Sequence, residues 1–190
     1  FVQSLMSTLA ASDKNYSFSI QTGDSVDNAG NYENWVHTLS LYQAEVAGDV
    51  DAIHVLGNHE HESDLSGANA QAIYNLADGS YGSAYSVQYG NVYVAVINYT
   101  QNAQQLQDAL AWLVEDANAS DATWKVLTIH QPPYYTNPPG GNGYINTYVP
   151  AAVDEAGIDV VFSGHDHSYA RTYPLTAGEV DEENGAVYYI

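Results

Sequence analysis

Gly164-His165-Asp166-His167 offers two imidazoles one residue apart, directly after the apolar run Ile158-Asp159-Val160-Val161-Phe162-Ser163. Neutral imidazole is the commonest protein metal ligand. Three other apolar runs end in the same kind of chemistry. Tyr16 to Thr22 leads into Gly23-Asp24, Ala52 to Leu56 into Gly57-Asn58-His59-Glu60, and Val126 to Ile129 into His130. Each potential ligand follows its run within one or two residues. One carboxylate, one amide oxygen and three imidazoles form a set that suits Zn, Fe or Mn. A single carboxylate can bridge two ions about 3.5–4 Å apart, and such a pair lowers the pKa of a bound water and clamps a phosphoryl group. Taken singly, each motif has a bland reading. Gly-Asp and Gly-Asn favour turns, and a histidine at a strand end is commonly structural. The order of all four after four apolar runs is what carries the argument.

The elements that must position these residues follow from periodicity. Alternation or short apolar runs predict strands over Tyr16 to Thr22, Ala52 to Leu56, Val126 to Ile129, the Ile158 run, and Ala186 to Ile190. Ala84 to Tyr89, Gly90-Asn91 and Val92 to Tyr99 read as a hairpin. Helical stripes fall at Val2, Leu5, Met6 and Leu9, at Trp35, Leu39, Tyr42 and Val46, and at Leu106, Ala109, Leu110, Leu113, Val114 and Ala117. Tyr144 to Ala156 reads as a helix that Pro150 breaks or starts late. Gln131 to Gly143 and Ala177 to Asn184 read as loops, the second acidic and solvated. Strands alternating with helices give an α/β class, and ligands in such sheets bind beyond the carboxyl ends of the strands. With no repeat and no linker, residues 1–190 read as one domain.

Three Lys plus Arg against 23 Asp plus Glu give a net charge of −20. That balance argues against nucleic acid, whose phosphates need Lys and Arg, and against an anionic membrane surface. It also repels a small anionic substrate at long range unless bound cations reverse the field locally. The chain has no cysteine, hence no disulfide or thiolate site, and no apolar run long enough to span a membrane. Oligomeric state is not legible.

The motifs Gly23-Asp24, Gly57-Asn58-His59-Glu60, His130 and Gly164-His165-Asp166-His167 resemble those of the calcineurin-like metallophosphoesterases. His165-Asp166-His167-Ser168-Tyr169-Ala170-Arg171 and His130-Gln131-Pro132-Pro133-Tyr134 are similar to runs of the purple acid phosphatases. The resemblance implies a four-layer αββα sandwich and two metal ions per complete domain, Fe, Zn or Mn. It implies Asp24 as the bridging carboxylate, Asn58, His130 and His165 as the remaining ligands of the second metal, and His167 as a ligand of the first. His59 is implied as the catalytic acid rather than a ligand, and a metal-bound hydroxide as the nucleophile. The implied activity is hydrolysis of phosphate monoesters, with a small phosphorylated substrate. A phosphodiesterase or nucleotidase uses the same core, and a non-catalytic binding module keeping the fold is the reading from another class. A secreted or cell-surface protein is the family expectation.

Two departures stand out. No Asp-x-Gly or Asp-x-His turn precedes Asp24, which implies a domain truncated at both ends, lacking the first motif before Phe1 and stopping within the strand that reaches Ile190. Asp27 also stands where purple acid phosphatases have the tyrosine that gives their colour; it is open as a ligand or as an acceptor to one. His61 reads as a loop residue near the site, His37 and His54 as structural, and Tyr134 and Tyr135 as candidates for a substrate cleft. Arg171 is a candidate support for the site.

Overall fold

The computed structural model describes residues 7–8, 11–12, 16–45, 51–65, 67–74, 84–135 and 143–190, with only the backbone for 41–45 and 71. The helix expected around Val2 to Leu9 lies largely outside these residues. Val92–Ile97 (a strand, β4 of nine among the described residues) is the spine of the fold. Its run Val-Tyr-Val-Ala-Val-Ile is apolar at every position because both of its faces are covered. It pairs antiparallel with Ala84–Tyr89 (β3) across the Gly90-Asn91 turn, in the register Tyr89↔Val92. On its other side it pairs parallel with Trp124–Ile129 (β5). Val160–Phe162 (β6) and Val187–Tyr189 (β9) extend the sheet in parallel, giving the order β3-β4-β5-β6-β9. Phe18–Gln21 (β1) and Asp51–His54 (β2) form a separate parallel pair.

The two faces of β4 set the layers. Tyr93, Ala95 and Ile97 join Leu127, Ile129, Val161 and Tyr188 beneath Ala103–Ala119 (α4) and Gly143–Ala156 (α5), which supply Leu106, Leu110, Leu113, Ile145, Val149 and Val153. Val94 and Val96 face the other way and meet Ile53 and Val55, with Phe18 and Ile20 packed beside them. Tyr32–Glu45 (α1) and Ala68–Tyr74 (α3) lie beyond the small sheet, around Trp35, Val26, Leu56 and Ala70. His54, on the opposite face of β2 from Ile53, stacks on Tyr74 at 3.8 Å. The result is helix, sheet, sheet, helix, as the resemblance implied.

Several local readings change. Pro150 sits inside α5, which runs unbroken from Gly143 to Ala156, so the loss of one backbone donor is outweighed by the buried stripe from Ile145 to Ala156. Ala177 to Asn184 is not a plain loop: Leu175–Thr176 (β7) and Glu179–Val180 (β8) form a two-residue ladder closed by Ala177 and Gly178, both at positive φ. Asn58–Glu62 (α2) and α3 are helices without an apolar stripe long enough to signal them.

Candidate metal centre

The site lies where the parallel strands of both sheets end. Val55 N–H donates to the Gln21 carbonyl at 3.0 Å, which carries the β1–β2 pairing to the edge of the site. The chain then turns sharply at Gly23, whose φ of +94° favours glycine. A Cβ at Gly23 would lie 2.5 Å from His130 Nδ1, and one at Gly57 would land on the Asp24 carboxylate and 2.9 Å from His130 Cε1. Glycine at both positions lets the ligand loops touch.

His130, 1% exposed, follows β5 on the face turned towards the small sheet. Its Nδ1–H donates to the Thr22 carbonyl at 2.7 Å. A carbonyl can only accept, so Nδ1 carries a proton and Nε2 is the nitrogen turned into the site. That nitrogen lies 3.1 Å from Asp24 Oδ2 and 3.2 Å from Asn58 Oδ1. His165 Nδ1 is 3.1 Å from the same Asn58 oxygen and 3.3 Å from His130 Nε2. The ligand atoms of Asp24, His130 and His165 all fall within 4.8 Å of one another. A nitrogen facing two acceptor oxygens calls for a cation there, a proton or a metal ion, and this N/O donor set fits Zn, Fe or Mn.

Electrostatics agree. Burial pushes the Asp24 carboxyl up, but His130 beside it, the His59 N–H and the nearby His59 ring outweigh burial and hold it below its ordinary range. Burial, then the neighbouring His130, lowers the pKa of His165, favouring the neutral ring that a metal requires. Asp24 and His165 both sit at positive φ, +52° and +68°, a strained backbone of the kind found at functional sites.

His59 stands at the rim, with its side chain 38% exposed. Its Nδ1 donates to the Asp27 carbonyl at 2.9 Å, and its Nε2 faces Asp24 Oδ2 at 4.0 Å. The Asp27 carbonyl, opposed by burial and helped by the carboxylates of Asp24, Asp27 and Glu62, raises its pKa. Asp27 itself is 94% exposed and touches the site through that carbonyl and a 3.6 Å approach to His59. His167 is exposed, at φ +52°, and stands outside the group formed by Asp24, His130 and His165. Arg171 is exposed and lies over the Tyr189 ring at 5.6 Å.

Glu60 was visible only as the end of a motif, and the structure gives it a larger part. Its side chain is fully buried and accepts backbone N–H bonds from the loop after β1 and from Gly57. No periodicity signals this; the clue was an acidic residue three positions after a helix-initiating glycine, the spacing of a capping box. His61 is not a loop residue but a buried member of α2, in contact with Gln101 and edge-on to Tyr99. Tyr134 packs edge-on against Tyr188 at 4.8 Å, beside the helix-side core.

The sequence model of the calcineurin-like phosphoesterases matches residues 2–169. The chain belongs to that family. A comparison with curated proteins finds no match. Among solved structures, this phosphoesterase-family chain is similar to purple acid phosphatase PPD1 from yellow lupin (Lupinus luteus) seeds, at 17% identity and a TM-score of 0.73 over 99% of the chain. It is also similar to a dimetal phosphatase from Danio rerio, at 16% identity and a TM-score of 0.60, covering 99% of this chain and 75% of that one. GAP50, the anchor in the inner membrane complex of Plasmodium, aligns at 16% identity and 0.60 over 98% of this chain and 63% of its own. The chain spans 38% of the length of the lupin protein. Among the described residues, no helix is long and apolar enough to cross a membrane.

Proposed function

We propose that this chain carries the centre of a metal-dependent phosphate monoester hydrolase. The observation that supports it is the meeting of Asp24 Oδ2, Asn58 Oδ1, His130 Nε2 and His165 Nδ1 beyond the strand ends, with His59 fixed beside them. Asp24, Asn58, His130 and His165 would hold one ion, and Asp24 with His167 would contribute to a second. Bound ions supply the Lewis acid and the activated water for attack on phosphorus.

The chain's own residues supply the rest. The Asp27 carbonyl fixes the His59 proton on Nδ1, leaving Nε2 as the position that delivers a proton to the departing oxygen. The raised pKa of His59 keeps that ring protonated to higher pH than a free imidazole. A positioned acid contributes roughly 10²–10⁴ in rate. Its benefit is largest where the leaving group is a poor one, such as an alkyl alcohol, and smallest for nitrophenolate.

The test is His59→Ala in the full chain with Zn²⁺, Mn²⁺ or Fe²⁺ supplied. Hydrolysis of an alkyl phosphate should fall by at least about 100-fold, and that of p-nitrophenyl phosphate by less. Equal activity in variant and parent on both substrates would overturn the catalytic role of His59 and favour a binding module.

A further inference from the structure

We propose that Glu60 is the positioning residue of the metal centre, its buried carboxylate fastening the Asp24 loop to the Gly57-Asn58 turn so that ligands from two strands are set as one unit. The inference rests on the metal-centre reading above. Glu60 is 0% exposed. Its Oε2 accepts from Asp24 N–H at 2.9 Å and Gly57 N–H at 2.7 Å. Its Oε1 accepts from Ser25 N–H at 2.6 Å and Val26 N–H at 3.3 Å.

Two features make this more than a helix cap. First, the donors come from two segments, one carrying Asp24 and the other preceding Asn58. Second, the bond is returned: Asp24 Oδ1 accepts from His59 N–H at 3.0 Å. The carboxylate of each segment thus holds the backbone of the other, and their carboxylates cannot shift independently. Asp24 is also the residue whose backbone sits at φ +52°, a conformation that needs outside support.

The chemistry requires an ionised acid. Each oxygen takes two N–H donors. Gln has the same shape but turns an NH₂ towards one pair of amides, so two N–H groups lose their acceptor and meet another donor. Asp keeps the charge but is one carbon shorter.

The experiment is a Co²⁺ titration of the parent, Glu60→Gln, Glu60→Asp and His130→Ala, read by the visible absorption of the bound ion, with far-UV circular dichroism confirming the fold. Glu60→Gln should bind Co²⁺ about 10–100-fold more weakly, as loss of a ligand's supporting partner does, and with a changed band shape. Glu60→Asp should fall between it and the parent. Binding by Glu60→Gln within twofold of the parent, with the same band, would overturn the proposal. Amide hydrogen exchange of the parent tests it without any variant. The Asp24, Ser25 and Gly57 amides should be protected, and exchange at the rate of exposed loops would refute the clasp. If the parent fails to bind Co²⁺, or His130→Ala binds equally well, the metal-centre reading fails, and amide exchange still decides the clasp.

Discussion

His54 lies on the face of β2 turned towards α3, stacked on Tyr74, with Nδ1 2.9 Å from Gln21 Oε1. Burial lowers its pKa to about 4. The unfolded chain binds this proton near pH 6.5, and the folded chain only near 4. The stabilisation from keeping His54 neutral is therefore complete above pH 6.5 and is lost as pH falls towards 4. It amounts to about 3 kcal/mol at most. In urea titrations at pH 7.5, 5.5 and 4, the parent should lose more stability on acidification than His54→Phe, which keeps the ring stack. Equal losses would show that His54 is not the sensitive group. The sequence made the chemistry-bearing side chains legible, because histidines after apolar runs have few other reasons to cluster. It did not show Glu60, His61 or Tyr134 in place. Their roles depend on which backbone or ring lies opposite, and that is fixed by contacts 30 or more residues away.

Elements that bury a long stripe, such as α4, could be read in advance, and so could the β3–β4 hairpin. Those held by single hydrogen bonds could not. α2 and α3 are short, and α2 is wholly polar in sequence, so tertiary contacts such as those with the loop after β1, Tyr99 and Gln101 define it. α4 offers a control for the site. Asn102 caps it by accepting from the Gln104 and Gln105 N–H groups, both at 3.1 Å. Asn102→Ala should cost about 1 kcal/mol in urea unfolding while leaving Co²⁺ affinity unchanged. Gly57→Ala should do the opposite in kind. The Cβ would press the Asp24 loop away from His130, so metal affinity should fall at least tenfold while α4 and α5 keep their helical signal. Parent-like affinity in Gly57→Ala would mean that the loops need not touch.

At the scale of the molecule, the charge of −20 favours counter-cations everywhere, so specificity must come from the four-layer arrangement that brings strands from both sheets to one end. The layers were implied by the motif resemblance, whereas periodicity gave only the α/β class. Which sheet each strand joins depends on long-range pairing that no local pattern records. A metal bound only by the folded state at 100 times its Kd adds about 2.7 kcal/mol, or roughly 5–10 °C in Tm for a domain of this size. Zn²⁺ or Mn²⁺ should raise the parent's Tm by that order and EDTA should reverse it. An equal rise in His130→Ala would assign the effect to the acidic surface instead.

Asp24, His165 and His167 share one backbone property, a left-handed φ at a residue other than glycine. An unfolded chain visits that region rarely, at a cost of roughly 1–2 kcal/mol per residue. Loose chain therefore presents no ready chelate, and an ion would be expected to bind after folding rather than before it. Refolding should proceed at the same rate with and without Zn²⁺, while unfolding slows when it is bound. An ion bound at this centre would be a late arrival, prolonging the life of a finished fold without hastening its making.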